Sequence, residues 1–203
     1  MSIKTKLPWL LIWFRIVAGL VIVLLSFTHI AYYSVIAVTL LSLGLLSDVF
    51  DGIIARRLKI STVTLRRFDS TADVLFFLLV AGAAYAWCPG FFNTNWLKIV
   101  VLIGFEALTY VVSFARFKKE IATHSIGAKI WTLFLFATLT EVFIHCESNL
   151  LFNLCFWIGL LTRVEIMAIV LLLKEWTNDV PTIYHALQLR KGKAIKRNDL
   201  FNG

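Results

Sequence analysis

Charge is scarce in this chain. Only 16% of its 203 residues are Asp, Glu, Lys or Arg, while 60% are hydrophobic. A soluble domain carries roughly 25% charged residues to clothe its surface. That deficit excludes an ordinary water-soluble globule, and a mean hydropathy of +0.84 agrees. Cysteine is scarce too. Cys88, Cys146 and Cys155 have no CxxC spacing, so a zinc knuckle and a thioredoxin-like centre are excluded. They read as buried thiols, although Cys88 and Cys146 fall near the same membrane face, where a disulfide is feasible. No alternating segments of moderate hydropathy suggest an outer-membrane barrel.

Long apolar runs are what the chain does have. A helix needs about 20 mostly apolar residues to cross a bilayer core. Six stretches qualify, near 9–28, 33–50, 70–88, 97–115, 127–145 and 152–173. The fold class expected is an all-α polytopic membrane protein of one domain, 1–203, with a basic interfacial or loose tail over about 174–203. Lys4 and Lys6 precede a first run without a small-residue cleavage site, so that run reads as a retained span. "WCPGFFNTN" (87–95) and "HCESN" (145–149) read as turns.

The net charge of +8 does not point to nucleic acid, because the cations are clustered between apolar runs. Lys4 and Lys6, then Arg56, Arg57, Lys59, Arg66 and Arg67, then Arg116, Lys118, Lys119 and Lys129, then Arg190 to Arg197, fall at alternate connections. The remaining connections hold little positive charge. By the positive-inside rule both termini and the 56–68 loop face the cytoplasm, at a bacterial inner membrane in the expected setting.

The acidic residues are less evenly spread. Asp48 and Asp51 lie at the end of the second run, and Asp69 and Asp73 at the start of the third. Spacings of three and four put each pair on one helical face. Asp48, Asp51, Gly52 and Ala55 share such a face, two carboxylates followed by two small residues that would let a bulky ligand approach the backbone. Four carboxylates meeting at one end of a membrane bundle repel one another unless cations are present. Oxygen-only donors suit Mg²⁺ or Mn²⁺, and a pair of such ions is a known device for phosphoryl transfer. Intramembrane carboxylates also mark ion paths, so a divalent-cation channel or transporter is the alternative. A noncatalytic protein using the metal as a helix staple is a third reading.

The series Asp48, Asp51, Gly52, Ala55, Arg56, Asp69 and Asp73 resembles the signature of the CDP-alcohol phosphatidyltransferases. One position departs: Leu65 stands where that family usually has glycine, which implies a rearranged nucleotide pocket or a divergent subfamily. The resemblance implies a phospholipid-synthesising enzyme. It would transfer a phosphatidyl group from CDP-diacylglycerol, or a related CDP-alcohol, to a hydroxyl acceptor and release CMP. It further implies Asp48, Asp51 and Asp69 as ligands of two Mg²⁺ or Mn²⁺ ions, with Asp73 beside them as general base. Asp48, Gly52, Ala55 and Arg56 would seat the CDP moiety. A homodimer is implied by the resemblance alone. Arg116 and Lys129, flanked by Ser125, Gly127 and Ala128, look similar to the family's basic pocket for a phosphorylated acceptor. Arg15, inside the first span, is expected either to snorkel to headgroups or to meet a substrate phosphate. Glu106, Glu141, Arg163 and Glu165 are costly against lipid and are expected to face the bundle, with Arg163 paired to a glutamate of another span.

Overall fold

A computed structural model describes residues 3–28, 30–58, 62–119, 125–177, 180–193 and 195, without the side chains of 3–6, Arg56, Val63 and Arg66. The elements are α1 (Ile3–Ser26), α2 (Tyr33–Arg57), α3 (Val63–Trp87), α4 (Pro89–Phe117), α5 (Ile126–His145), α6 (Leu150–Leu172) and α7 (Ile183–Arg190), with no strand among the described residues. The first six are long and apolar enough to cross a membrane. The protein is an all-α integral membrane protein, as its composition predicts.

Helix ends follow local chemistry. Thr62 caps α3, its hydroxyl accepting from the Leu65 amide at 3.1 Å. Ser125 does the same for α5, accepting from the Ala128 amide. The expected turn at 87–95 shrinks to a single residue. Cys88 closes α3, and Pro89 opens α4 at a position where its missing N–H costs nothing, so Gly90, Asn93 and Asn95 are helical. The turn after His145 is present. The second span runs past residue 50, and both Asp48 and Asp51 lie within α2.

The chain divides into two compact units, Met1–Asn93 with Leu139–Ser148 and Thr94–Thr138 with Asn149–Gly203. In the first, α1 packs along both α2 and α3, which touch each other much less. Helix α1 is therefore a wedge. Its Gly19 faces Phe76 and Leu79 of α3, and Gly44 of α2 lies so close to the buried Phe76 ring that a Cβ there would meet it at 2.3 Å. Ile12, Ala55, Leu65 and Ala72 form a buried cluster, with Trp9 and Ile16 against it. A disulfide joins Cys88 to Cys146, Cα atoms 5.1 Å apart, so the feasible pairing is realised and Cys155 stays a buried thiol.

The second unit is centred on α6. Arg163 forms an ion pair with Glu106 of α4 and lies over the Trp131 ring, 4.5 Å from its centroid. This is the pairing the sequence predicts. Gly159 admits that ring, since an added Cβ would meet the indole nitrogen at 2.6 Å. Helix α7 folds back on the end of α6, burying Val180 and Ala186 against Ile169 and Leu173. The stretch 196–203 lies outside the described residues.

Candidate active site

Short connections bring the site together. Six residues join α1 to α2 and five join α2 to α3, so the three helices alternate in direction. Asp51 and Asp69 each lie six residues from the α2–α3 connection, about 9 Å along a helix. Asp48 and Asp73 lie a turn deeper. Oxygens of Asp48, Asp51 and Asp69 come within 4.8 Å of one another. Asp51 is buried, and the other three carboxylates are about one-third exposed.

Arg15 occupies the middle of this group. Its side chain, 1% exposed, points from α1 between α2 and α3. The Nη1 atom pairs with Asp73 and lies 3.3 Å from Asp48. The Nη2 atom pairs with Asp51 and lies 3.3 Å from Asp69, whose Oδ1 accepts from both nitrogens. A buried guanidinium is stable only with its charge answered by anions. Here it is answered four times over.

Four carboxylates and one guanidinium leave three formal negative charges if all are ionised. That surplus, the oxygen-only donors and their spacing fit a hard divalent cation. Asp48, Asp51 and Asp69 could hold such an ion, and Asp73 is joined to them through Arg15.

The other expected residues divide. Gly52 is half-buried one residue after Asp51, and Ala55 is buried a turn nearer the α2–α3 connection. Arg56 belongs to α2, but its side chain lies outside the described residues. Leu65 is 5% exposed and belongs to the buried cluster with Ala55 and Ile12, so the position where glycine is usual has become part of the apolar packing of the three helices. Arg116 and Lys129 belong to the second unit and are exposed. Arg116 donates to the Leu173 carbonyl at 2.8 Å, which caps the end of α6. Arg15 does not snorkel. The signal for its actual position was present, since a lone cation on an apolar helix and carboxylates at the same end of neighbouring helices attract each other.

No curated protein and no solved structure matches the chain. The family model described as CDP-alcohol phosphatidyltransferase matches residues 5–182, from α1 through α6 to the residue before α7. The aspartate site lies within that match, and the chain belongs to the CDP-alcohol phosphatidyltransferase family, membrane enzymes of phospholipid synthesis that typically depend on a divalent metal.

Proposed function

We propose that the protein transfers a phosphatidyl group from CDP-diacylglycerol, or a closely related CDP-lipid, to a hydroxyl acceptor. The observation that carries this reading is the convergence of Asp48, Asp51, Asp69 and Asp73 from two adjoining helices, in a chain that belongs to this family. Asp48, Asp51 and Asp69 would hold Mg²⁺ or Mn²⁺, two ions in the full site. When bound, such ions neutralise the pyrophosphate and the charge that develops on the leaving CMP.

The remaining chemistry belongs to the chain. Asp48, Gly52, Ala55 and Arg56 are the residues proposed to seat the CDP moiety, with Gly52 leaving room beside the helix backbone. Asp73 takes the proton of the acceptor hydroxyl. The hydroxyl oxygen forms a bond to the phosphorus bearing diacylglycerol, the bond from that phosphorus to the oxygen bridging it to CMP breaks, and CMP carries away the electron pair. Holding both reactants in line supplies much of the acceleration, because the two substrates come from different phases. Arg116 and Lys129 are the residues proposed for a phosphorylated acceptor. Homodimerisation follows the family.

The site would face the cytoplasm, where CMP is released into water, in a bacterial inner membrane. The cation clusters support this orientation. So does the disulfide, which sits beyond the opposite end of α3 from Asp69 and belongs in an oxidising compartment.

The test is CMP release by purified protein in nanodiscs containing CDP-diacylglycerol. Glycerol 3-phosphate, serine, inositol, inositol phosphate and phosphatidylglycerol are supplied one at a time, with and without Mg²⁺ or Mn²⁺. Release that needs both metal and one acceptor is expected. Metal flux across sealed vesicles with no binding of any cytidine nucleotide would replace this reading with transport.

A further inference from the structure

We infer that Arg15 is a built-in counter-cation of the aspartate site, and that its guanidinium and the divalent cation are alternative partners of the same carboxylates. The inference rests on the proposed reading to the extent that the aspartates bind a divalent ion.

The geometry is unusual for a membrane arginine. A charged side chain this deep in an apolar helix can extend to the headgroups or turn toward an anion. Arg15 turns inward and is almost wholly enclosed. Both of its terminal nitrogens bridge α2 to α3, Nη1 between Asp48 and Asp73 and Nη2 between Asp51 and Asp69. The three carboxylates close enough to share one metal are all partners of this guanidinium.

A dication bound to those oxygens would sit within a few ångströms of the guanidinium. Like charges at that separation, in a site of low dielectric, repel strongly. Metal entry is therefore coupled to withdrawal of Arg15 from at least some of its four partners. Its hold is already incomplete, since the buried Nε has no hydrogen-bond partner among the described residues. Without metal, Arg15 keeps α2 and α3 from being driven apart by their own carboxylates. With metal, a displaced guanidinium adds positive charge beside the place where a pyrophosphate must bind. Arg15 is thus a positioning residue for the metal site, with an effect of opposite sign on metal affinity and on metal-free stability.

The experiment is an Mn²⁺ titration followed by electron paramagnetic resonance, on wild type, Arg15→Met and Arg15→Lys in nanodiscs at pH 8 without substrate. Arg15→Met should bind Mn²⁺ more tightly, on the order of tenfold, a typical size for coupled binding events. Arg15→Lys, which keeps the charge, should stay nearer wild type. In EDTA the Arg15→Met protein should melt below wild type, and Mn²⁺ should restore most of the difference. Equal or weaker Mn²⁺ affinity in Arg15→Met overturns the inference and leaves the metal centre standing. Failure of wild type to bind Mn²⁺ overturns both. Should Arg15→Met not fold, wild type still decides through the Arg15 side-chain NMR signal, which must change as Mg²⁺ saturates the site. A signal unmoved at saturation would sink the idea.

Discussion

Among the described residues two arginines, Arg15 and Arg163, are buried in the membrane helices, and their surroundings differ in one respect. Arg163 meets one glutamate, Glu106, and one aromatic face, Trp131. Arg15 meets four aspartates. The first arrangement is balanced and complete, with a charge answered by a charge and a ring. The second sets four carboxylates around a single guanidinium. Burying a balanced pair can fix how two helices meet. Burying an unbalanced cluster costs stability and is worth retaining where a cation or a substrate completes it. On the proposed function, the two sites separate a structural use of membrane charge from a chemical one.

The sharpest way to break that comparison is Asp73→Asn. On the proposed mechanism it removes the base while keeping the shape, so turnover should fall by about 10²- to 10⁴-fold. It should leave CDP-lipid binding measurable and metal-free stability undiminished, because one repelling carboxylate is gone. CMP release at the wild-type rate would show that Asp73 is not the base. Next in size is Leu65→Gly, a change that restores the family's usual residue. From the sequence alone it is expected to alter nucleotide affinity more than folding. The buried contacts of Leu65 with Ile12 and Ala55 revise that balance, and the variant should lose about 3 kcal/mol of stability, from packing and helix propensity together. A melting temperature equal to wild type would mean the cluster closes without it. The smallest effect is expected at the balanced pair. Arg163→Met alone should cost roughly 2 kcal/mol, a buried-pair loss discounted for the partial exposure of Glu106. Adding Glu106→Leu should recover most of it, with CMP release retained. A double variant that stays folded but releases no CMP would move Arg163 from scaffold to chemistry.

Much of this was legible before the fold. The spans followed from hydropathy, and the pairing of Asp48 with Asp51 and of Asp69 with Asp73 followed from helical spacing. Arg163 and its glutamate followed from the cost of charge against lipid. The helical continuation through Gly90 to Asn95 did not, because turn-forming residues at a membrane boundary are overruled once Pro89 serves as a helix start. Leu65 was visible as a departure, but its role depended on neighbours on other helices, Ala55 of α2 and the sequence-distant Ile12 of α1.

By itself the sequence determined the class of molecule and the inventory of its chemistry. Apolar runs of span length admit few alternatives to transmembrane helices, and four aspartates at helical spacing fix which faces carry the anions. Only the tertiary structure decided which cation those faces enclose. That choice depends on how α1 wedges between α2 and α3, a matter of side-chain packing across three helices, and it brings residue 15 to residues 48, 51, 69 and 73.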